Sequence, residues 1–154
     1  SLGCTQFTTV AIVRILKPSE HALLQRVAPD VFDGPVKQNF TLEFLSDPRH
    51  HLAVAIAQDG SVVGMASGVH YVHPDKAPQM FINEVGVSAD YEGHGIGKKL
   101  IAALLQRASQ LGCTEAWTAT EPDNVRAQAL YSRAGGQRDP VAFVMFTFPL
   151  PNSG

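Results

Sequence analysis

The chain has 154 residues, 45% of them hydrophobic and 17% charged, with a formal net charge of −2. That length suits one domain with a sizeable core, and the apolar fraction excludes a disordered chain. The slightly acidic balance, without any Lys/Arg run, argues against a nucleic-acid or anionic-membrane partner, and no apolar stretch approaches the roughly 20 residues of a membrane span.

The elements expected in chain order begin with a strand at Thr8–Leu16, where Val10, Ile12, Val13 and Ile15 favour extended structure. Pro18-Ser19-Glu20 opens a helix with Ala22, Leu23, Leu24 and Val27 as its apolar face. A turn-rich loop at Pro29–Pro35 holds Asp30, Asp33 and Gly34, and Phe40–Leu45 forms a second short helix. Leu52–Ala57 and Val62–Tyr71 flank Asp59-Gly60 as a hairpin. Met80–Val87 is a strand. Gly95–Leu111 is a helix striped by Leu100, Ile101, Leu104, Leu105, Ala108 and Leu111, with Gly112 at its C-cap. Glu115–Thr120 is a strand, Asn124–Ala134 a helix stopped by Gly135-Gly136, and Val141–Phe148 a last strand. The hairpin-rich front and alternating back predict an α/β mixed sheet with helices on both faces.

No repeat or linker divides the chain, so a single domain over residues 8–149 is expected, with 1–7 and 150–154 as flexible tails. No charged-then-apolar leader opens the sequence, and two cysteines, Cys4 and Cys113, are too few for a disulfide framework, so a cytoplasmic location is expected.

The most informative stretch is Gly93-His94-Gly95-Ile96-Gly97-Lys98-Lys99, between a strand and an amphipathic helix. Glycines there let the backbone take positive φ and let a ligand approach closely. The helix that follows presents unpaired N–H groups at the positive end of its dipole, which together make a pyrophosphate cradle. Lys98 and Lys99 sit where the helix dipole disfavours cations, a placement that makes sense beside an anion. The dinucleotide pattern fails because its third glycine falls on Lys98. The P-loop pattern fails at Glu92 and Lys99.

Downstream stands a second motif, with Asn124, Ala127, Leu130, Tyr131 and Gly135 at intervals of three, three, one and four. The two motifs together resemble the GNAT superfamily of N-acetyltransferases, whose members carry (Gln/Arg)-x-x-Gly-x-(Gly/Ala) at the strand-to-helix turn and Asn-x-x-Ala-x-x-Leu-Tyr-x-x-x-Gly on the next helix. Here the first reads Glu92-Gly93-His94-Gly95-Ile96-Gly97, so Glu92 departs from the family's Gln or Arg. The resemblance covers nearly the whole chain and implies the GNAT acyl-CoA N-acyltransferase fold, a mixed central sheet flanked by helices. It implies acetyl-CoA as cosubstrate, with Glu92, Gly93, His94, Gly95, Ile96, Gly97 and Lys98 around the pyrophosphate. It brings the main chain of Val85 and Val87 to the pantetheine arm, as an added strand would pair. Gly86 suits the bulge the family places in that strand. Asn124, Ala127 and Tyr131 also match cofactor-side positions.

Amide formation needs the attacking amine to lose a proton and the departing thiolate to gain one. Tyr131 matches the family's general acid. The base candidate is Glu84 in Met80–Val87, since a carboxylate in so apolar a strand calls for a reason. Alternation puts Ile82, Glu84 and Gly86 on one face and Phe81, Asn83 and Val85 on the other, and partial burial is expected to sharpen Glu84 as a proton acceptor. It could act directly, through a water, or by anchoring an ammonium group. His70 and His73, like the adjacent His50-His51, have poor spacing for joint ligation, so no metal is expected.

Tyr71-Val72-His73-Pro74, Glu84-Val85-Gly86-Val87 and Thr120–Asn124 further resemble the type I aminoglycoside 3-N-acetyltransferases, which carry an acidic residue at the position of Glu84. That resemblance implies antibiotic resistance through a small polycationic amine substrate, met by Asp33, Tyr71, Glu84, Glu121 and Asp123, with Asp139 a further cleft acid. Singly, each of these acids except Glu84 reads as an ordinary solvated loop residue; together they predict a cleft that attracts cations. The alternatives are another small amine, a protein amino group, or an idle domain that senses acyl-CoA. The apolar run Val141–Phe148 offers an edge for a homodimer.

Overall fold

The computed structural model describes residues 10–152. Cys4, the expected tail at 1–7 and the opening of the first strand at Thr8 lie outside the described residues, as do residues 153–154.

Among the described residues five strands form one sheet in the order β1-β2-β3-β4-β5: β1 (Ala11–Ile15), β2 (His50–Ala57), β3 (Val62–Tyr71), β4 (Gln79–Val87) and β5 (Glu115–Trp117). The first four pair antiparallel and β4 pairs β5 parallel, so the sheet is mixed as expected. The helices are α1 (Gln38–Ser46), α2 (Ile96–Gln110) and α3 (Val125–Arg133).

β2 shows why the sheet is covered on both sides. Ala53, Ala55 and Ala57 join one core with Val63, Met80, Ile82 and the α2 residues Ile96, Leu100, Ile101 and Leu104. Leu52 and Val54 join a second core with Leu16, Leu24, Val31, Leu45 and Met65. Successive side chains alternate faces, and small alanines on one face let α2 lie close. Leu100 and Leu104 of α2 are fully buried. Gly112, at φ +81, ends that helix, and Cys113 N–H bonds back to Ala108 O at 3.0 Å.

Several expectations are corrected. Pro18–Gln25 is a 3₁₀ segment with non-helical backbone at Glu20, whose carboxylate accepts from Lys17 N–H and from the Arg14 guanidinium. Leu105 leaves the buried stripe and is 37% exposed, because it lies about 100° around α2 from Leu104. β5 ends at Trp117 instead of Thr120. The last expected strand, Val141–Phe148, is absent from the sheet: the segment has no regular secondary structure and is exposed throughout. A strand needs a partner ladder for its N–H and C=O groups, and among the described residues this segment pairs with no other strand.

Candidate functional site

The site begins where β4 and β5 part. Their ladder has three rungs, Gln79↔Glu115, Met80↔Ala116 and Phe81↔Trp117. One link follows, Thr118 Oγ1 donating to Ile82 O at 2.9 Å. Beyond it β4 runs on to Val87 with β3 on one side and, among the described residues, no strand on the other. The main chain of Asn83–Val87 therefore offers a free sheet edge inside the molecule.

β4 also changes face in this stretch. Ser67 pairs with Glu84 and Gly68 with Ile82, so Asn83 is the extra residue of a β-bulge. Met80 and Ile82 precede the bulge in the α2-side core, and Val85 and Val87 follow it onto the same core. Two expectations change with it. The bulge lies at Asn83 and not at Gly86, which pairs in register with Met65. Glu84 and Gly86 project to the opposite face from Ile82. On that face a Cβ at Gly86 would stand 2.1 Å from Val31 O, so the glycine serves a close approach of the 28–32 loop.

Glu84 is exposed, with no hydrogen bond or ion pair among the described residues. The expected partial burial is absent, because the bulge turns the side chain out of the core. Its carboxylate faces solvent.

β4 leads into the glycine loop. Asp30 Oδ2 accepts from Ala89 N–H at 2.8 Å and pins the turn, which lowers the pKa of Asp30. Gly93 and Gly95 have φ of +81° and +73°, and a Cβ on either would meet nothing within 4 Å. They are glycines for their backbone conformation, and they face open space. Gly95 is the N-cap of α2 and supplies no side-chain cap, so the first-turn N–H groups of Ile96, Gly97 and Lys98 point outward without an intrahelical acceptor. His94, Lys98 and Lys99 are exposed beside them. Gly97 serves packing instead, since a Cβ there would touch Leu130 Cδ1 at 3.0 Å, and its absence lets α3 close on α2.

α3 forms the far wall. Asn124 caps it, its Oδ1 accepting from Ala127 N–H at 3.1 Å. The side chain expected on the cofactor side thus also caps the helix, with its amide N–H₂ left as donors. Tyr131 is half-buried against the α2-side core, and its Oη makes no hydrogen bond among the described residues. Glu92 is ion-paired with Arg126 of α3. Among the described residues no helix is long and apolar enough to cross a membrane, and no three His, Cys, Asp or Glu side chains gather as for a metal.

Of the other candidates, Glu121 and Asp123 are exposed in the 118–124 loop, just past the point where the strands part. Asp33 is exposed in the 28–36 loop, and Asp139 is held locally by Val141 N–H. None contacts another. Tyr71 does not join Glu84. It pairs with Gln79 at the start of β4, five residues and on the order of 16 Å away. Its hydroxyl donates to Gln79 Oε1 at 3.0 Å and accepts from Trp117 Nε1. Trp117 in turn packs on Phe81, so these aromatics close the joined end of the two strands.

Sequence reading missed Thr118, Arg126 and Asp30, whose partners lie 36, 34 and 59 residues away. No local pattern marks such contacts. It also missed His51, which is buried with Nε2 2.8 Å from His70 Nδ1 across the β2–β3 hairpin.

The profile of the acetyltransferase (GNAT) family matches residues 11–136. L-2,4-diaminobutyric acid acetyltransferase of Nocardia farcinica is 34% identical over 130 residues, 83% of this chain and 65% of that protein. Aminoglycoside N(6')-acetyltransferase type 1 of Stenotrophomonas maltophilia is 29% identical over 130 residues, 81% of this chain and 82% of that one. The chain spans less than two thirds of the length of the diaminobutyric acid acetyltransferases it matches, and about half of one of them. Among solved structures, AAC(6')-Iy in complex with a CoA–acetylneamine bisubstrate analogue superposes with a TM-score of 0.72 at 22% identity, over 91% of this chain and 100% of that one.

Proposed function

The chain belongs to the acetyltransferase (GNAT) family, and from that premise we propose that it transfers the acetyl group of acetyl-CoA to a primary amine of a small polycationic acceptor, an aminoglycoside first among them. The observation that carries this reading is the free edge of β4 running directly into the glycine loop. A polar arm can lie along Val85–Val87 as a missing strand would, and its phosphates can meet the exposed N–H groups of Ile96, Gly97 and Lys98. Side-chain-free Gly93 and Gly95 leave the room such a ligand needs, and His94, Lys98 and Lys99 complement its charge. The residues present therefore fit acetyl-CoA, which supplies an acetyl group already activated as a thioester.

Glu84 anchors the acceptor's ammonium group and takes its proton, directly or through a water. Tyr131 Oη carries a proton it can release at the opposite side of the opening, where a thiolate departs. Exposed Glu121, Asp123 and Asp33 add negative charge on the flanking loops and draw a cationic acceptor in.

A short diamine such as diaminobutyrate is the second reading, favoured by the Nocardia farcinica relative. Within the aminoglycoside reading, the sequence resemblance points to the 3-amino group, whereas the Stenotrophomonas maltophilia relative is named for the 6′ position.

The test is thiol release from acetyl-CoA against a panel of aminoglycosides, diaminobutyrate, polyamines and peptides, with the acetylated nitrogen assigned by NMR of the product. Turnover with aminoglycosides that falls in Glu84→Gln supports the reading. Turnover with only diamines or peptides moves the acceptor class, and binding without turnover on any amine leaves an acyl-CoA sensor.

A further inference from the structure

Trp117 is the one tryptophan of the sequence, and it stands at the last rung before β4 and β5 part. It is 44% exposed, yet its orientation is fixed. Its Nε1–H donates to Tyr71 Oη, which donates in turn to Gln79 Oε1 at 3.0 Å. Phe81 lies against it, with ring centroids 4.5 Å apart and planes inclined by 36°. With the N–H satisfied and Phe81 on one side, the indole shows carbon to solvent. A single exposed apolar residue is ordinary. One braced by a hydrogen bond and a ring contact is a surface ready for a ligand, because little freedom remains to be lost on binding.

Register places this surface on the same side of the sheet as Glu84. Met80 pairs with Ala116 and Phe81 with Trp117. Met80, Ile82 and Ala116 face the α2-side core, so Phe81 and Trp117 face the other way. The bulge at Asn83 turns Glu84 to that same side. Glu84 follows Phe81 by three residues, on the order of 10 Å along the strand. The 118–124 loop that leaves Trp117 adds exposed Glu121 and Asp123. One side of the sheet thus combines an apolar plate with carboxylates around it. That combination matches an aminosugar, whose ring carries C–H bonds on its face and ammonium groups on its rim. The face meets the indole, and an ammonium over the ring gains from its π-electrons. A four-carbon diamine held by Glu84 has no ring to lay on the plate and is too short to reach it.

On the reading of Glu84 as the anchor of the acceptor, we propose that Trp117 selects the acceptor: its exposed indole face stacks on a ring of an aminosugar whose reacting amino group is held at Glu84. Phe81 and Tyr71 are positioning residues that keep the indole in place, and Tyr71 acts through Trp117 without touching the acceptor.

The test uses the full chain saturated with CoA, with the aminoglycoside kanamycin as the probe. Because Trp117 is the one indole, its emission reports on the plate directly. Titration with kanamycin is expected to shift that emission, with the midpoint that calorimetry gives for binding, and diaminobutyrate to leave it unshifted. In the thiol-release assay Trp117→Leu is expected to raise the kanamycin KM roughly tenfold with a smaller effect on kcat, and Trp117→Phe to recover most of the loss. Kanamycin binding with unshifted emission, an equal shift with diaminobutyrate, or a wild-type KM in Trp117→Leu would each overturn the proposal. Binding with shifted emission but no turnover supports the plate and overturns acetyl transfer to this amine alone. No kanamycin binding in calorimetry overturns both.

Discussion

Glu92, immediately before the glycine loop, is ion-paired with Arg126 in the first turn of α3, with Nη2 2.7 Å from Oε1. Both side chains are exposed, so the pair adds little to stability. Its importance is positional, because it neutralises a carboxylate beside a cradle suited to anions. Arg126→Ala is expected to raise the acetyl-CoA Kd roughly fivefold, the equivalent of about 1 kcal/mol. Glu92→Gln alone is expected to tighten binding, and adding it to Arg126→Ala to recover most of the loss. Calorimetry on the three variants checks this; equal affinity in all of them would refute it.

Gly86 stands against the carbonyl of Val31, with 2.1 Å between the position of a Cβ and that oxygen. Neither partner is a flexible side chain, so Gly86→Ala must push β4 and the loop apart. The expected cost is about 2–3 kcal/mol, read as a lower urea midpoint. Gly34→Ala, with nothing within 4 Å, is the matched control and is expected to stay near wild type.

Tyr131 combines a packed ring with a hydroxyl that has no partner among the described residues. Tyr131→Phe keeps the ring and removes the proton. We expect kcat to fall roughly 100-fold in the thiol-release assay, with acetyl-CoA affinity and Tm unchanged. An unaltered kcat removes Tyr131 from proton transfer.

His51 gives the molecule an acid sensitivity unrelated to its site. Burial first, and the charge of neighbouring His70 second, hold its pKa down to about 4. In the unfolded chain the ordinary value is about 6.5, so on acidification the unfolded state takes up the proton first. The contribution of His51 to stability is complete above about pH 6.5 and declines toward pH 4, by up to roughly 3 kcal/mol. Urea unfolding between pH 4 and 7.5 should show this slope, and His51→Gln should flatten it. An equal slope in both proteins would assign the acid sensitivity elsewhere.

Most elements were legible because their causes are local. The stripe of Ile96, Leu100, Ile101, Leu104 and Ala108 reads as a helix by its spacing alone. Gly93, Gly95 and Gly112 mark positive φ, and each lies where the backbone requires it. Asp59-Gly60 places the hairpin turn. The motif at Asn124–Gly135 was equally readable, but only as a pattern. That Asn124 spends its oxygen on capping α3 depends on where the helix begins, which structure alone reports.

Local spacing determined most of the strands and helices and the backbone character of the glycine loop, since each follows from the preferences of neighbouring residues, and the two motifs carried the resemblance to the family. Tertiary structure decided what depends on register and distant partners. The bulge at Asn83 exists because β4 carries one residue more than β3 can match, and it turns Glu84 out of the core against the alternation of its neighbours. Gly86 answers to Val31, Glu92 to Arg126 and His51 to His70, across gaps no sequence window spans. The same limit applies to Val141–Phe148: its residues read as a strand, but only the assembled sheet shows that it joins no ladder among the described residues.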